Sequence, residues 1–265
     1  MGILNVTPDS FSDGGAFFEP EAAVTHGIRM AQEGADLLDV GGVSTRPGAR
    51  SVPLEEELRR VMPIVARLVK AVRIPICVDT SSAAVAQRAL EAGASIVNDV
   101  TALRHDADMA RVIARGKAAV ILMHMRGTPA TMQRRPRYRD VVNDVITFLR
   151  RAAACAQEAG IARSRILVDP GLGFGKTVTH NLALLRALPA LASCGYGVVI
   201  GPSRKSFIGT ILDAPLEDRL AGTLACVAHA QRGGAAIVRV HEVKPAVDLL
   251  RMLGAIEHGT TTHDS

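Results

Sequence analysis

Short runs rich in Val, Ile and Leu alternate with longer segments in which apolar residues recur every three or four positions, and the alternation occurs eight times along the 265 residues with no break in composition. The apolar runs that predict strands cover 2–7, 36–41, 75–80, 95–100, 118–124, 165–169, 197–201 and 236–241. Their near-continuous apolarity is what a parallel sheet covered on both faces requires. The amphipathic segments predict helices over 21–33, 54–71, 82–92, 107–115, 140–159, 181–188, 216–232 and 243–253. Several stop at a glycine (Gly34, Gly93, Gly116, Gly160 and Gly233), which predicts left-handed caps at those positions. Eight strand-helix units predict an α/β fold of the (β/α)8 TIM-barrel type, one domain over 1–257 followed by a polar tail over 258–265. An open doubly wound sheet is the structural alternative, but the Gly-x-Gly-x-x-Gly turn it usually carries after its first strand is absent.

In such a barrel the C-terminal ends of the strands face the active site, so polar residues there carry functional weight. Here they are Asn5, Asp39, Asp79, Asn98, His124, Asp169, Ser203 with Lys205, and Arg239 with His241. A single Asp at a strand end is usually a turn former or helix cap. Three Asp and two Asn converging on one mouth are hard to explain as independent caps. The first βα loop, from Thr7 to Gly15, and the second, from Gly41 to Arg50, are long and rich in turn residues, as lids and binding loops are. The block Gly201-Pro-Ser203-Arg-Lys205-Ser206 opens a helix and offers backbone N–H groups and cations to an anion. The stretch from Asp169 to Lys176 is glycine-rich but lacks the spacing and the Lys-Ser/Thr ending of a phosphate-binding P-loop. Carboxylates and amides on one wall and cations on the other would suit a cationic heterocycle with a phosphate tail, a divalent metal helping to neutralise the phosphate.

Apolar residues make up 48% of the chain and charged residues 22%, enough to bury a sizeable core. The net charge of +5 favours acidic small ligands over acidic proteins or cationic surfaces, and the bias is mild. Arg134, Arg135, Arg137 and Arg139 form the densest basic stretch; Pro136 interrupts it and no aromatic ladder accompanies it, so it reads as a solvated loop and not a nucleic-acid surface. Cys77, Cys155, Cys194 and Cys226 lack disulfide or metal-ligand spacing and read as reduced thiols. There is no basic n-region ahead of an apolar stretch and no apolar run of membrane-spanning length, so a cytoplasmic location and no membrane partner are expected.

The segment Gly2-Ile-Leu-Asn-Val-Thr-Pro-Asp-Ser-Phe-Ser-Asp-Gly-Gly15 closely resembles the signature of dihydropteroate synthases. The resemblance continues through Asp39-Val-Gly-Gly-Val-Ser-Thr-Arg-Pro-Gly48, Val78-Asp-Thr80, Asn98-Asp99, Met123-His-Met-Arg-Gly-Thr-Pro129, Asp169-Pro-Gly-Leu-Gly-Phe-Gly-Lys176, Ser203-Arg-Lys-Ser206 and Arg239-Val-His241, in the family's order. That family condenses 6-hydroxymethyl-7,8-dihydropterin diphosphate with 4-aminobenzoate, releases diphosphate, uses Mg²⁺ and is the target of sulfonamides. The resemblance implies that Asp79, Asn98 and Asp169 bond the pterin ring with Lys205 beside it, while Arg239 and Met123 pack on its faces. Asn5, Arg46 and His241 would grip the diphosphate; Gly201 and Ser203, in the helix-opening block, read as substrate-binding from their place there. Asn5 would touch the metal, assisted by Asp9 and Asp39. Thr45, Pro47, Phe174 and Ser206 would form the 4-aminobenzoate pocket, covered by Phe11.

The implied mechanism is SN1-like: buried carboxylates stabilise positive charge on the pterin as diphosphate departs, and the neutral aniline nitrogen traps the cation. No enzyme nucleophile is needed, and His124 reads as structural. A homodimer built on residues 181–253 is implied, as is tighter binding of 4-aminobenzoate and its sulfonamide mimics once diphosphate orders Thr45, Arg46 and Pro47. Two departures stand out. The family usually has Glu where Val43 stands, which bears on the order of the second loop, and relatives usually carry a short leader ahead of the first strand. The alternatives are a sulfonamide-insensitive version of the same enzyme and a pterin-binding methyltransferase domain, which would not need the Ser203–Ser206 block.

Overall fold

The structure, a computed structural model, describes residues 1–6, 20–44, 48 and 52–259. Strands and helices alternate along it: β1 (Gly2–Asn5), α1 (Pro20–Gln32), β2 (Leu38–Gly41), α2 (Leu54–Ala71), β3 (Ile76–Asp79), α3 (Ala83–Glu91), β4 (Ile96–Asp99), α4 (Met109–Arg115), β5 (Ala119–Met123), α5 (Val141–Glu158), β6 (Ile166–Asp169), α6 (Val178–Arg186), α7 (Leu188–Ala192), β7 (Gly197–Ile200), α8 (Ser206–Leu212), α9 (Leu220–Arg232), β8 (Ile237–Val238) and α10 (Val243–His258). The strands form one curled eight-stranded parallel sheet in sequence order, β1 to β8. β8 is short, but pairing continues beyond it: Arg239 N–H donates to Ile200 O, and Ile3 N–H and Val240 O lie 2.9 Å apart, so Gly2 bridges Val240 in parallel.

All eight expected strands are present, most shorter by a residue or two at their ends. The helical periodicity is less faithful after β6. The helix expected over 181–188 starts at Val178, is capped by the Thr177 hydroxyl and His180 ring, and breaks at Ala187 before α7. The one expected over 216–232 starts only at Leu220, with α8 preceding it as a separate element. α10 runs through Gly254 to His258, the first residue of the expected tail, and residues 260–265 lie outside the described ones.

Three of the five glycine caps, Gly34, Gly93 and Gly160, are left-handed as expected. Gly116 and Gly233 are not; the left-handed residue is the next one, Lys117 (φ 50°) and Gly234 (φ 83°) respectively. Both glycines instead lie in close contact with a neighbouring leucine. A Cβ on Gly116 would sit 2.8 Å from Leu90 Cδ1, and one on Gly233 would sit 2.6 Å from Leu188 Cβ.

The helices cover the outer face of the sheet. α2 shows why its sequence folds there: Glu55, Glu56 and Glu57 complement the positive end of the helix, while Val61, Ile64, Val65 and Leu68 recur at helical spacing and are fully buried. On the inner face, Met1, Cys77, Ile121 and Val199 form a buried cluster packed by Leu37, Ile96, Leu167 and Ile237. The first four lie in or just before odd-numbered strands and the second four in or just before even-numbered ones, an apolar floor of alternating layers.

Candidate functional site

Side chains two residues apart on a strand share a face. Stepping two residues from the floor toward the C-terminal ends therefore leads from Leu37, Ile96, Leu167 and Ile237 to Asp39, Asn98, Asp169 and Arg239. On the odd strands the same step leads from Cys77, Ile121 and Val199 to Asp79, Met123 and Gly201. Seven of the expected site residues thus form a shelf directly above the apolar floor. Asp39 lies deeper than expected. It is fully buried and paired in register with Cys77, a floor residue, while Asp79 pairs with Gly41 two residues further on. Asp99, at the end of β4, faces away; its carboxylate accepts from Ser81, Thr101 and the Leu103 N–H and holds Ala102 and Leu103 in left-handed conformation.

On one side of the shelf the Arg239 guanidinium joins two carboxylates, donating from Nε to Asp39 Oδ2 (2.5 Å) and from Nη2 to Asp79 Oδ2 (3.0 Å). Asn98 Nδ2 donates to the same Asp39 oxygen at 3.0 Å. That leaves Asn98 Oδ1 buried with no hydrogen-bond partner among the described residues. One cation faces two acids, and burial together with Asp39 pushes the Asp79 carboxyl up to about 7. Burial works against the Arg239 charge, yet Asp39 and Asp79 outweigh it and raise its pKa.

On the other side, Lys205 Nζ sits 4.2 Å from the centre of the Phe174 ring. Phe174 joins Met123, Val100, Met125 and Met132 in an apolar wall. Asp169 Oδ1 accepts the Gly171 N–H at 2.7 Å. Burial raises the Asp169 pKa against the opposing pull of that N–H and of Lys205. Burial and Arg239 bring the Lys205 ammonium down to about 8. The β6–α6 loop can come this near because Gly171 is left-handed and bare: a Cβ there would lie 2.1 Å from His124 O. Behind the loop, buried Lys176 Nζ contacts His124 Nδ1 (2.9 Å), His124 O (3.3 Å) and Phe174 O (3.0 Å). His124 is buried against the Phe148 ring, and burial plus Lys176 lowers its pKa to about 3, so it is a neutral acceptor, in keeping with a structural role.

The Gly201–Ser206 block supplies fewer free cations than expected. Arg204 adopts φ 57°, which turns its side chain to an ion pair with Glu242 and leaves Lys205 at the start of α8 facing Phe174. Ser203 Oγ lies 2.8 Å from His241 Nδ1, and Ser206 is exposed. Half-buried Asn5 ends β1 beside Gly41. Phe11, Thr45, Arg46 and Pro47 lie outside the described residues, as does Asp9. Val43 is half-buried at the root of the second loop, where Arg60 Nη1 donates to Gly42 O. Sequence reasoning missed Lys176, Val100, Met125 and Met132. Met132 sits within the arginine-rich loop, whose four arginines are indeed exposed. Among the described residues no group of three or more His, Cys, Asp or Glu could hold a metal, all four cysteines are free, and no helix is long and apolar enough to cross a membrane.

The family model described as pterin binding enzyme matches residues 1–241. A dihydropteroate synthase of Synechocystis is 46% identical over 97% of this chain and 89% of its own length. Among solved structures, Xanthomonas albilineans dihydropteroate synthase with 4-aminobenzoic acid superposes with a TM-score of 0.92 at 47% identity, over 97% of this chain and 92% of that one. Yersinia pestis dihydropteroate synthase in a sulfonamide complex gives 0.92 at 42% identity, over 97% and 93%. With the motifs in order and the acidic, amide and cationic side chains assembled on one shelf, the chain belongs to the pterin-binding enzyme family and, within it, to the dihydropteroate synthases, transferases of folate biosynthesis.

Proposed function

We propose that the two sides of the shelf divide the substrates, the Asp39–Asp79–Asn98–Arg239 side together with Asp169 receiving the dihydropterin and the Lys205–Phe174 side receiving 4-aminobenzoate. The observation that carries this reading is Asn98, whose amide donates to Asp39 while its buried Oδ1 is left as an acceptor without a donor. A pterin presents ring N–H and amino donors to such a site, and a buried acceptor left empty costs about 1–3 kcal/mol. Asp79 and Asp169 extend the acidic surface on which positive charge would be stabilised as diphosphate leaves. Met123 supplies an apolar face, and Phe174 a flat wall for the benzoate ring, with Lys205 between ring and pterin. Ser203, His241, Gly201 and Asn5 lie on the rim where the diphosphate would sit, and Ser206 at the edge of the benzoate pocket. The roles of Phe11, Thr45, Arg46 and Pro47, and the cooperative binding of sulfonamides that rests on them, belong to the same proposal.

Mg²⁺ fits the donor set in a limited way. Mg²⁺ keeps several waters and takes few protein oxygens beside substrate phosphates, and the Asn5 amide oxygen at the strand end is one suitable donor. When bound, the ion would neutralise diphosphate charge. Closure of the sheet into a complete (β/α)8 barrel over 1–257 is also proposed, supported by the Gly2–Val240 bridge and the alternating layers of the floor. Four free cysteines accord with a reducing, cytoplasmic setting.

Formation of dihydropteroate with release of diphosphate should require dihydropterin diphosphate and 4-aminobenzoate together, and no product with both present would overturn the function. Lys205→Ala should lower kcat/KM roughly tenfold or more, since each loss of about 1.4 kcal/mol in transition-state stabilisation is a decade of rate; near-normal kinetics would remove Lys205 from the site. A homodimer is proposed as well, because Ile211 and Leu212 on α8, Leu216 after it, and Met252 and Ile256 on α10 are each at least 43% exposed. Light scattering should give twice the 28.0 kDa chain mass, and the single-chain mass would overturn the dimer.

A further inference from the structure

We propose that Lys176 is a positioning residue for the second-substrate pocket, acting through Phe174. An ammonium has three N–H groups, and here three acceptors surround it: the His124 ring nitrogen, the His124 carbonyl and the Phe174 carbonyl. Lys176 is only 3% exposed, and burial brings its pKa down to about 7 against the pull of Asp169, so the three acceptors satisfy polar N–H groups that water cannot reach. Two of the acceptors belong to the residue after β5 and the third to the β6–α6 loop, so one side chain ties the loop to the sheet.

The rest of the loop is arranged for that tie. Left-handed Gly171 and Gly175 bring it against the backbone of His124 and Arg126, where any Cβ would collide at 2.1 and 2.6 Å. Asn181 Oδ1 accepts the Gly173 N–H, and the Tyr138 hydroxyl donates to Gly175 O. The Phe174 carbonyl is held by Lys176, and its ring is thereby presented to Lys205 and the methionine wall. The effect should fall on the benzoate side, because the bonds of Lys176 run to His124 and Phe174 and none runs to Asp39, Asp79, Asn98 or Asp169.

This inference rests on the assignment of Phe174 to the 4-aminobenzoate pocket, and the test separates the two. In Lys176→Met, KM for 4-aminobenzoate should rise roughly tenfold while KM for dihydropterin diphosphate stays within about twofold. Lys176→Gln, which keeps N–H donors, should recover part of the loss. If Lys176 acts through Phe174, the double variant with Phe174→Ala should bind 4-aminobenzoate no more weakly than Phe174→Ala alone. Unchanged constants in Lys176→Met, an equal rise in both, or additive losses in the double variant would overturn the proposal. Should Lys176→Met fail to fold, Lys176→Gln takes its place in the same comparison, and the same three outcomes overturn the proposal there. A wild-type protein that releases no diphosphate overturns the functional reading itself, whereas an active wild type with a normal Lys176→Met overturns only the role of Lys176.

Discussion

Arg239→Met should destabilise the protein by about 3–5 kcal/mol and abolish measurable turnover, because it removes the one guanidinium that joins Asp39 and Asp79 and leaves a fully buried and a partly buried carboxylate facing each other. At the scale of this chain that is a fall of roughly 10 °C in Tm. The deficit should shrink on acidification, and the sign follows from linkage. Asp79 already has its pKa raised to about 7 beside Arg239; without the cation it rises further, so the folded variant holds protons the unfolded chain has released. The variant's stability therefore falls as pH rises from about 4, the unfolded value, through the raised folded value above 7. Urea midpoints of wild type and variant at pH 5 and pH 8 measure this; a gap as large at pH 5 as at pH 8 would show that the carboxylates are not what suffers.

Asp169→Asn should leave the fold intact and lower kcat/KM roughly 30- to 150-fold, a loss of about 2–3 kcal/mol. The fold survives because an asparagine Oδ1 can still accept the Gly171 N–H that sets the turn into the β6–α6 loop. Activity suffers because the amide carries no negative charge and brings an N–H where the substrate's donors must dock. The comparison needs Tm and kinetics on the same preparation; normal turnover in a folded variant would remove Asp169 from the chemistry.

The architecture is legible in the sequence because eight apolar runs and eight amphipathic segments have different periods, and only a sheet covered on both faces absorbs that many runs. Helix boundaries after β6 are less so, since the pieces of α6, α7 and α8 are held by contacts such as the Thr177–His180 cap and not by long periodic stripes. Most shelf residues can be named from their motifs, but their depth cannot. Asp39 falls inside the apolar run over 36–41, and only the register with Cys77 shows how deep in the sheet it lies. Arg204 and Lys205 look equivalent until the left-handed backbone at Arg204 separates them. Lys176 closes a recognisable motif, but its role is not legible there, because its acceptors are a distant ring nitrogen and two carbonyls, which have no characteristic spacing. Met125 and Met132 look like ordinary loop residues until the fold gathers them beside Phe174.

The two-residue step from floor to shelf makes the chain unequally tolerant of length changes. Losing or gaining one residue inside β2, β3, β4 or β6 would reverse the parity of everything beyond it, turning Asp39, Asp79, Asn98 or Asp169 outward against the helices and an aliphatic neighbour inward. Insertions beyond the strand ends leave that parity untouched. Divergence in length should therefore collect in the connections, while the strands are confined to substitution, and a deletion scan through β4 and through the 126–139 connection would show the contrast one residue at a time.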